Sequence, residues 1–202
     1  ILIGEVWIVA GQSNIWWPVN RTTNAEKELA QADYSQIRLL TVPIRVASQP
    51  LNDIEDINQP NRMAVPAEQA RWVECNSVTV SWFSGVGYYF GRDLHKALNV
   101  PVGLISMGVG GTVVNAWTSR QALENEPTCK ANVAYWDNYA AVQYPQKKAE
   151  YERELIEWEK AVKLAKDTNN PEPPPPNPPI DPELYVNRSA ALYNAMVAPV
   201  TP

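Results

Sequence analysis

Three hydrophobic rhythms run along this chain, and each predicts a different kind of element. Residues 3–10 are almost continuously apolar, the pattern of a strand covered on both faces. A short helix is predicted over Ala25–Gln31 and a second strand over Ile37–Val42. From Arg45 to Pro66 the chain is polar, rich in Pro and Asn and without periodicity, which reads as a long surface loop. Trp72–Glu74 fits a short edge strand followed by turn residues. Over 84–98 the period becomes helical, with Tyr88, Gly91, Leu94, His95 and Leu98 near one face. Pro101-Val-Gly-Leu-Ile-Ser106 is again a buried strand. Strand, helix and strand at this spacing predict parallel crossovers and an α/β fold.

The region 146–183 differs in character. Tyr151, Leu155, Trp158, Val162 and Ala165 recur at helical spacing over 146–167, among many Glu and Lys residues. Opposite charges three or four apart, such as Glu150 with Arg153 and Glu159 with Lys163, fit a solvent-facing helix. The run Asn170-Pro-Glu-Pro-Pro-Pro-Pro-Asn-Pro-Pro-Ile-Asp-Pro182 follows. It excludes helix and inner strand and favours extended polyproline II. Helix and arm together read as an excursion from the core, a stiff connector that returns at Leu184, with a helix near 188–198.

Composition narrows the function. Two hundred and two residues suffice for one domain, and a net charge of −5 leaves no basic footprint for nucleic acid. No apolar stretch is long enough to span a bilayer. Cys75 and Cys129 lack metal-ligand spacing, so they read as buried thiols or as a pair formed in an oxidising compartment. Asn20-Arg-Thr22 and Asn187-Arg-Ser189 match the glycosylation acceptor pattern, a match that arises often by chance.

The candidate chemistry lies at two strand ends. Gly11-Gln12-Ser13-Asn14 closes the first apolar run. There a glycine permits a sharp turn, and Ser13 and Asn14 fall in the first turn of a helix, where N–H groups are unpaired. Such a serine is either a helix cap or a nucleophile with donors waiting for an oxyanion. Met107-Gly-Val-Gly-Gly-Thr112 ends the strand at 102–106, and its glycines let a backbone amide approach a ligand. Parallel sheets place their sites at this edge, so the two loops are expected side by side. The glycines lack the spacing of a phosphate loop. Trp16, Trp17 and Trp117 flank the loops, where indoles stack on sugar faces or fill the core. No pair of carboxylates flanks them as in a glycoside hydrolase.

Several blocks carry a family resemblance. Gly11-Gln-Ser-Asn-Ile-Trp-Trp-Pro18 is similar to the nucleophile block of the sialate O-acetylesterase family, SGNH-type carbohydrate esterases, with Ile15 where that family usually has Met. Trp82-Phe-Ser-Gly-Val-Gly-Tyr-Tyr-Phe-Gly-Arg-Asp-Leu-His-Lys96, Val100-Pro-Val-Gly-Leu-Ile-Ser106, Gly110-Gly-Thr112 with Ala116-Trp117, and Leu192-Tyr-Asn-Ala-Met-Val-Ala-Pro199 follow in the same order. The resemblance implies a flavodoxin-like three-layer α/β fold with a parallel sheet. It also implies Ser13 as nucleophile, with an oxyanion held by the N–H groups of Ser13 and Gly111, or Gly110 as the alternative. Asn14 would support the Ser13 turn.

The family also carries an aromatic-Gln-Gly-Glu segment and a later Asp-x-x-His that supplies the base and its orienting carboxylate; neither occurs here. The single histidine, His95, falls on the packing helix instead. The chain therefore reads as an internal piece, a partial SGNH domain over 1–202 that holds the nucleophile without its base and is inactive alone. The implied activity is removal of O-acetyl groups from a sugar, sialic acid foremost, without metal or organic cofactor. Its implied partners are an acetylated carbohydrate and the remaining C-terminal part of the same protein, with Trp16 and Trp117 as candidate sugar contacts. An extracellular, periplasmic or lysosome-like setting goes with such substrates. The alternatives are an acetylxylan or other carbohydrate acetylesterase, and a non-catalytic glycan-binding relative.

Overall fold

The computed structural model describes residues 1–54 and 70–201, so the predicted loop from residue 55 to Pro66 lies outside the described residues. Four strands form one sheet in the order β1-β4-β2-β3: β1 Glu5–Gly11, β2 Asp33–Thr41, β3 Val73–Asn76 and β4 Val102–Gly108. β4 lies between β1 and β2 and runs parallel to both, with Leu104 opposite Trp7 on one side and Leu39 on the other. The predicted edge strand is β3, antiparallel to β2. It ends in a turn where Asn76 Oδ1 accepts the N–H groups of Val78 and Thr79, both at 3.0 Å.

Strand side chains alternate between two cores. Val9, Ile37, Leu39, Val102 and Leu104 face the helix α3, Gly85–Leu98, together with Phe83 and Tyr88. Gly91 is what lets α3 settle on β4, because a Cβ there would lie 2.5 Å from Leu104 Cδ1. Ser84 caps the helix by accepting the Gly87 N–H at 3.2 Å. Leu40, Ile105 and Met107 point the other way, into a core completed by Val42, Val46, Ala191, Leu192, Ala195 and Met196. Helical segments on both faces of a mostly parallel sheet make this an α/β fold.

Several expectations are corrected. The first strand is not covered on both faces. β1 is at the sheet edge, its outer side has no partner among the described residues, and Val6 and Ile8 are 63% and 46% exposed. Only its α3-facing side is packed, where Trp7 meets Phe90 edge-on at 5.1 Å. The helix expected near 188–198 starts at 191, after Ala190 at φ 62, and consists of a π-helical turn Tyr193–Val197 and a 3-10 turn Ala198–Val200. Cys75 and Cys129 are both free; Cys75 is buried, which pushes its thiol up to about 12, whereas Cys129 is only half-buried.

The helical stretch before the proline arm begins earlier than its sequence pattern announced. Alongside α2, Ala25–Gln31, the chain forms α4, Arg120–Asn125, α5, Pro127–Asn138, and α6, Tyr144–Asp167, with a π-helical turn at Tyr139–Gln143. The signals for α4 and α5 are local: Ser119 accepts the Ala122 N–H at 3.2 Å, and Pro127 stands at the first turn of α5. On α6 the expected stripe is the sheltered one, with Tyr151, Leu155, Trp158 and Val162 half-buried and Ala165 buried. Its ion pairs differ from those anticipated: Lys160 pairs with Glu157 at 2.8 Å and Lys166 with Glu172 at 3.6 Å, while Arg153 donates to the Ala149 carbonyl.

The proline arm runs back along α6. Pro173, Pro176 and Pro179 are half-buried while the residues between them are exposed, the three-residue rhythm of polyproline II with one side against a surface. Trp158 Nε1 donates to the Pro173 carbonyl at 2.8 Å, Tyr139 donates to the Ile180 carbonyl at 2.9 Å, and the Tyr144 hydroxyl bonds Asp181.

Candidate active site

The carboxyl ends of β1 and β4 are adjacent, with Gly11 paired to Gly108 at the last register position. From there both chains turn outward together, and the Val109 N–H donates to the Gly11 carbonyl at 3.1 Å. The turn after β1 needs a glycine, since a Cβ on Gly11 would come within 2.7 Å of Ile15 Cγ1. The single helical turn α1, Ser13–Trp16, begins at once, closed by the Trp16 N–H donating to the Gln12 carbonyl at 3.1 Å. Gly108 makes room for it, because a side chain there would press on the Trp16 backbone at 3.2 Å.

Ser13 is exposed at this edge, and among the described residues nothing hydrogen-bonds its hydroxyl. The second loop rises beside it. A Cβ built on Gly110 would lie 3.1 Å from Ser13 Oγ, so only a residue without a side chain leaves the hydroxyl uncrowded here. Gly111 has φ 73 and open space where a side chain would stand. The resemblance puts Gly111 first and Gly110 second as oxyanion donor; a side chain would crowd Ser13 at Gly110 and meet nothing at Gly111.

The loop is tied down by side chains that sequence reasoning did not single out. Gln12 Nε2 donates to the Thr112 carbonyl. Thr112 is buried, its hydroxyl donating to the Val109 carbonyl at 2.7 Å and accepting Trp117 Nε1–H at 2.9 Å. Asn187 reaches over from the returning chain, donating to the Gly111 carbonyl at 3.2 Å and accepting the Val113 N–H at 2.9 Å. Gln12 sits inside the Gly11–Asn14 block, where its type was legible and its partner was not. Asn187 offered only its glycosylation pattern.

Trp117 borders an open cavity of about 430 Å³ whose other walls include Ile8, Ala10, Gln12, Thr112 and Val197. Trp16 is 51% exposed near Gly108, free to meet a ligand, whereas the Trp17 indole N–H is taken by the Arg21 carbonyl at 2.9 Å. A larger cavity, about 610 Å³, lies at the opposite end of the sheet around Gly4, Trp72 and Pro101, away from both loops. His95 is at that far end too. Its Nδ1 lies 2.7 Å from the Val100 carbonyl, just before β4 begins, and its ring meets Tyr34 edge-on. The length of β4, roughly 20 Å at 3.3 Å per residue, separates it from Ser13. Among the described residues no three His, Cys, Asp or Glu side chains converge as a metal site, and no helix is long and apolar enough to cross a membrane.

This architecture, with a serine turn and a glycine loop side by side at the carboxyl edge of a mostly parallel sheet, defines an SGNH-like α/β segment. The chain is similar in sequence to sialate O-acetylesterases. It is 32% identical over 125 residues to the sialate O-acetylesterase of Rattus norvegicus, covering 61% of this chain and 22% of that protein. It is also 32% identical over 130 residues to that of Homo sapiens, covering 61% and 23%. The chain thus spans under a quarter of the length of these relatives. A crystal structure of a carbohydrate acetylesterase from Xanthomonas citri aligns with a TM-score of 0.50 at 25% identity, over 61% of this chain and 26% of that one. No family profile matches the chain.

Proposed function

We propose that this chain carries the nucleophile and oxyanion loops of a serine esterase that removes O-acetyl groups from sugars. The observation that carries the reading is the placement of Gly110 beside Ser13, so close that a Cβ on the glycine would lie 3.1 Å from Oγ, at the ends of two adjacent parallel strands. Ser13 Oγ attacks the acetyl carbonyl, the carbonyl oxygen becomes an oxyanion, and collapse expels the sugar hydroxyl and leaves an acetyl-enzyme that water hydrolyses. The donors are the Ser13 N–H, unpaired at the start of α1, and the N–H of Gly110 or Gly111; among the described residues neither glycine N–H has an acceptor. His95 is too distant to take the Ser13 proton, so in this reading the general base is another group of the polypeptide.

Among acetylated sugars, sialic acid is favoured by the names of the mammalian relatives. The Xanthomonas neighbour's broader description, carbohydrate acetylesterase, supports a second reading in which another acetylated sugar is the substrate. Trp16 and Trp117 are the proposed sugar contacts, exposed and half-buried beside the loops. A rate comparison on acetylated sialic acid and acetylxylan, with the full-length polypeptide and its Ser13→Ala variant, tests both. Release of acetate from sialic acid, abolished by Ser13→Ala, supports the first reading; preference for xylan supports the second. Full turnover in the Ser13→Ala variant refutes both. The 202-residue chain by itself is expected to hydrolyse activated acetyl esters very poorly, and turnover equal to that of the full polypeptide would show that the base has been misplaced.

A further inference from the structure

Two adjacent glycines make a soft loop, yet an oxyanion donor must be held still before the charge develops. Gly110 and Gly111 have no side chains to anchor them, and Gly111 at φ 73 is in a conformation that glycine leaves easily. What fixes this stretch must therefore be bonded to its backbone. Upstream, the Val109 N–H is tied to β1 through the Gly11 carbonyl. Downstream, the Thr112 carbonyl is held by Gln12, and the Thr112 side chain is buried between Val109 and Trp117. Between these two anchors, among the described residues, one side chain hydrogen-bonds the glycine pair itself. Asn187 donates to the Gly111 carbonyl and, from the same amide group, accepts the Val113 N–H.

We propose that Asn187 is a positioning residue for the reaction, holding the glycine loop so that its free N–H groups face the oxyanion formed at Ser13. The inference rests on the esterase reading above. The amide group is suited to the task because it offers one donor and one acceptor at fixed separation. Its two bonds lock the peptide planes on either side of Thr112, and the trans geometry of each peptide carries that orientation back to Gly111. The carbonyl of Gly111 is engaged by Asn187, and among the described residues the N–H groups of Gly110 and Gly111 have no acceptor. Asn187 comes from the segment that returns after the proline arm, 76 residues along the chain from Gly111. The excursion and the loop are thereby coupled at one point.

The test uses the full-length polypeptide with Asn187→Ala, Asn187→Asp and Ser13→Ala, assayed on p-nitrophenyl acetate, with inhibition by methaneboronic acid as a measure of tetrahedral-adduct binding. Asn187→Ala is expected to lower kcat about 10- to 100-fold with KM within about twofold, less than the roughly 10²–10³ lost when a donor itself is deleted. Boronate affinity should fall in parallel with kcat. Asn187→Asp keeps the shape and the acceptor for Val113 but sets a carboxylate oxygen against the Gly111 carbonyl, so it should be at least as impaired as alanine. If the side chain only capped Val113, aspartate would restore activity, and that result overturns the proposal. So does an unchanged kcat in Asn187→Ala while Ser13→Ala is inactive. An active Ser13→Ala variant would instead remove the esterase reading on which the proposal stands. Should the alanine variant fail to fold, the isosteric aspartate carries the test alone: parental kcat and boronate affinity overturn the proposal, and their joint loss supports it.

Discussion

Two neighbouring glycines beside Ser13 have opposite reasons to be glycine. Gly110 is limited by space, since a methyl group would stand 3.1 Å from Ser13 Oγ, while Gly111 is limited by conformation, with φ 73 and nothing near. The two alanine substitutions should therefore separate. On the proposed esterase reading, Gly110→Ala crowds the Ser13 hydroxyl and is expected to lower kcat at least about tenfold with little change in urea stability. Gly111→Ala leaves the hydroxyl unobstructed and should cost about 1–2 kcal/mol of stability from the left-handed backbone. Measuring kcat and the urea midpoint for both variants checks this; equal loss of activity at unchanged stability would contradict it. The sequence already marked this pair, since a Gly-Gly after a buried strand speaks for close backbone approach. It did not reveal which glycine meets the serine, because that depends on the relative height of two loops set by the β1–β4 register. Asn187 was illegible for a related reason: its partners lie 74 and 76 residues away.

Among the elements, those that pack by period were legible and those held by caps or long-range cover were not. α2 and α3 follow their helical spacing, and β2, β3 and β4 follow their apolar runs. β1 misled because an apolar strand states only that it is to be covered, not by what; Val6 and Ile8 are open among the described residues. α4 and α5 lack a strong apolar stripe and were missed, being organised by Ser119, Pro127 and the paired Arg120 and Asp137. The fit of α3 on the sheet yields a prediction at this scale. Gly91→Ala places a methyl 2.5 Å from Leu104 Cδ1, at the centre of the buried layer, and either the helix or the leucine must shift. Overpacking of this kind costs about 1–3 kcal/mol, to be read as a lower urea midpoint. An unchanged midpoint would mean that α3 sits less tightly on β4 than described.

At the scale of the whole molecule, a single serine turn and glycine loop stand at one edge of the sheet while the only histidine stands at the other. The fold class and the Gly11–Asn14 turn were legible because they depend on residues close in sequence. The seating of the proline arm was not, because it is fastened across long distances, and the arm carries a consequence of its own. Twenty-four residues of α6 rise about 36 Å, and thirteen residues of polyproline II span about 40 Å, so arm and helix are nearly commensurate. Contact recurs every third residue, at Pro173, Pro176 and Pro179. The arm is thus a ruler with graduations of three. Deleting one proline should turn every later residue by about 120° and lift Ile180 and Asp181 from Tyr139 and Tyr144. Deleting three keeps the face but shortens the span by about 9 Å. Proteolysis within 170–182 is the readout, and the single deletion should be cut faster than the parent if phase matters. Equal cleavage of the two would deny the arm any phase. On this view evolution can exchange individual arm residues freely, yet can edit the arm's length only in quanta.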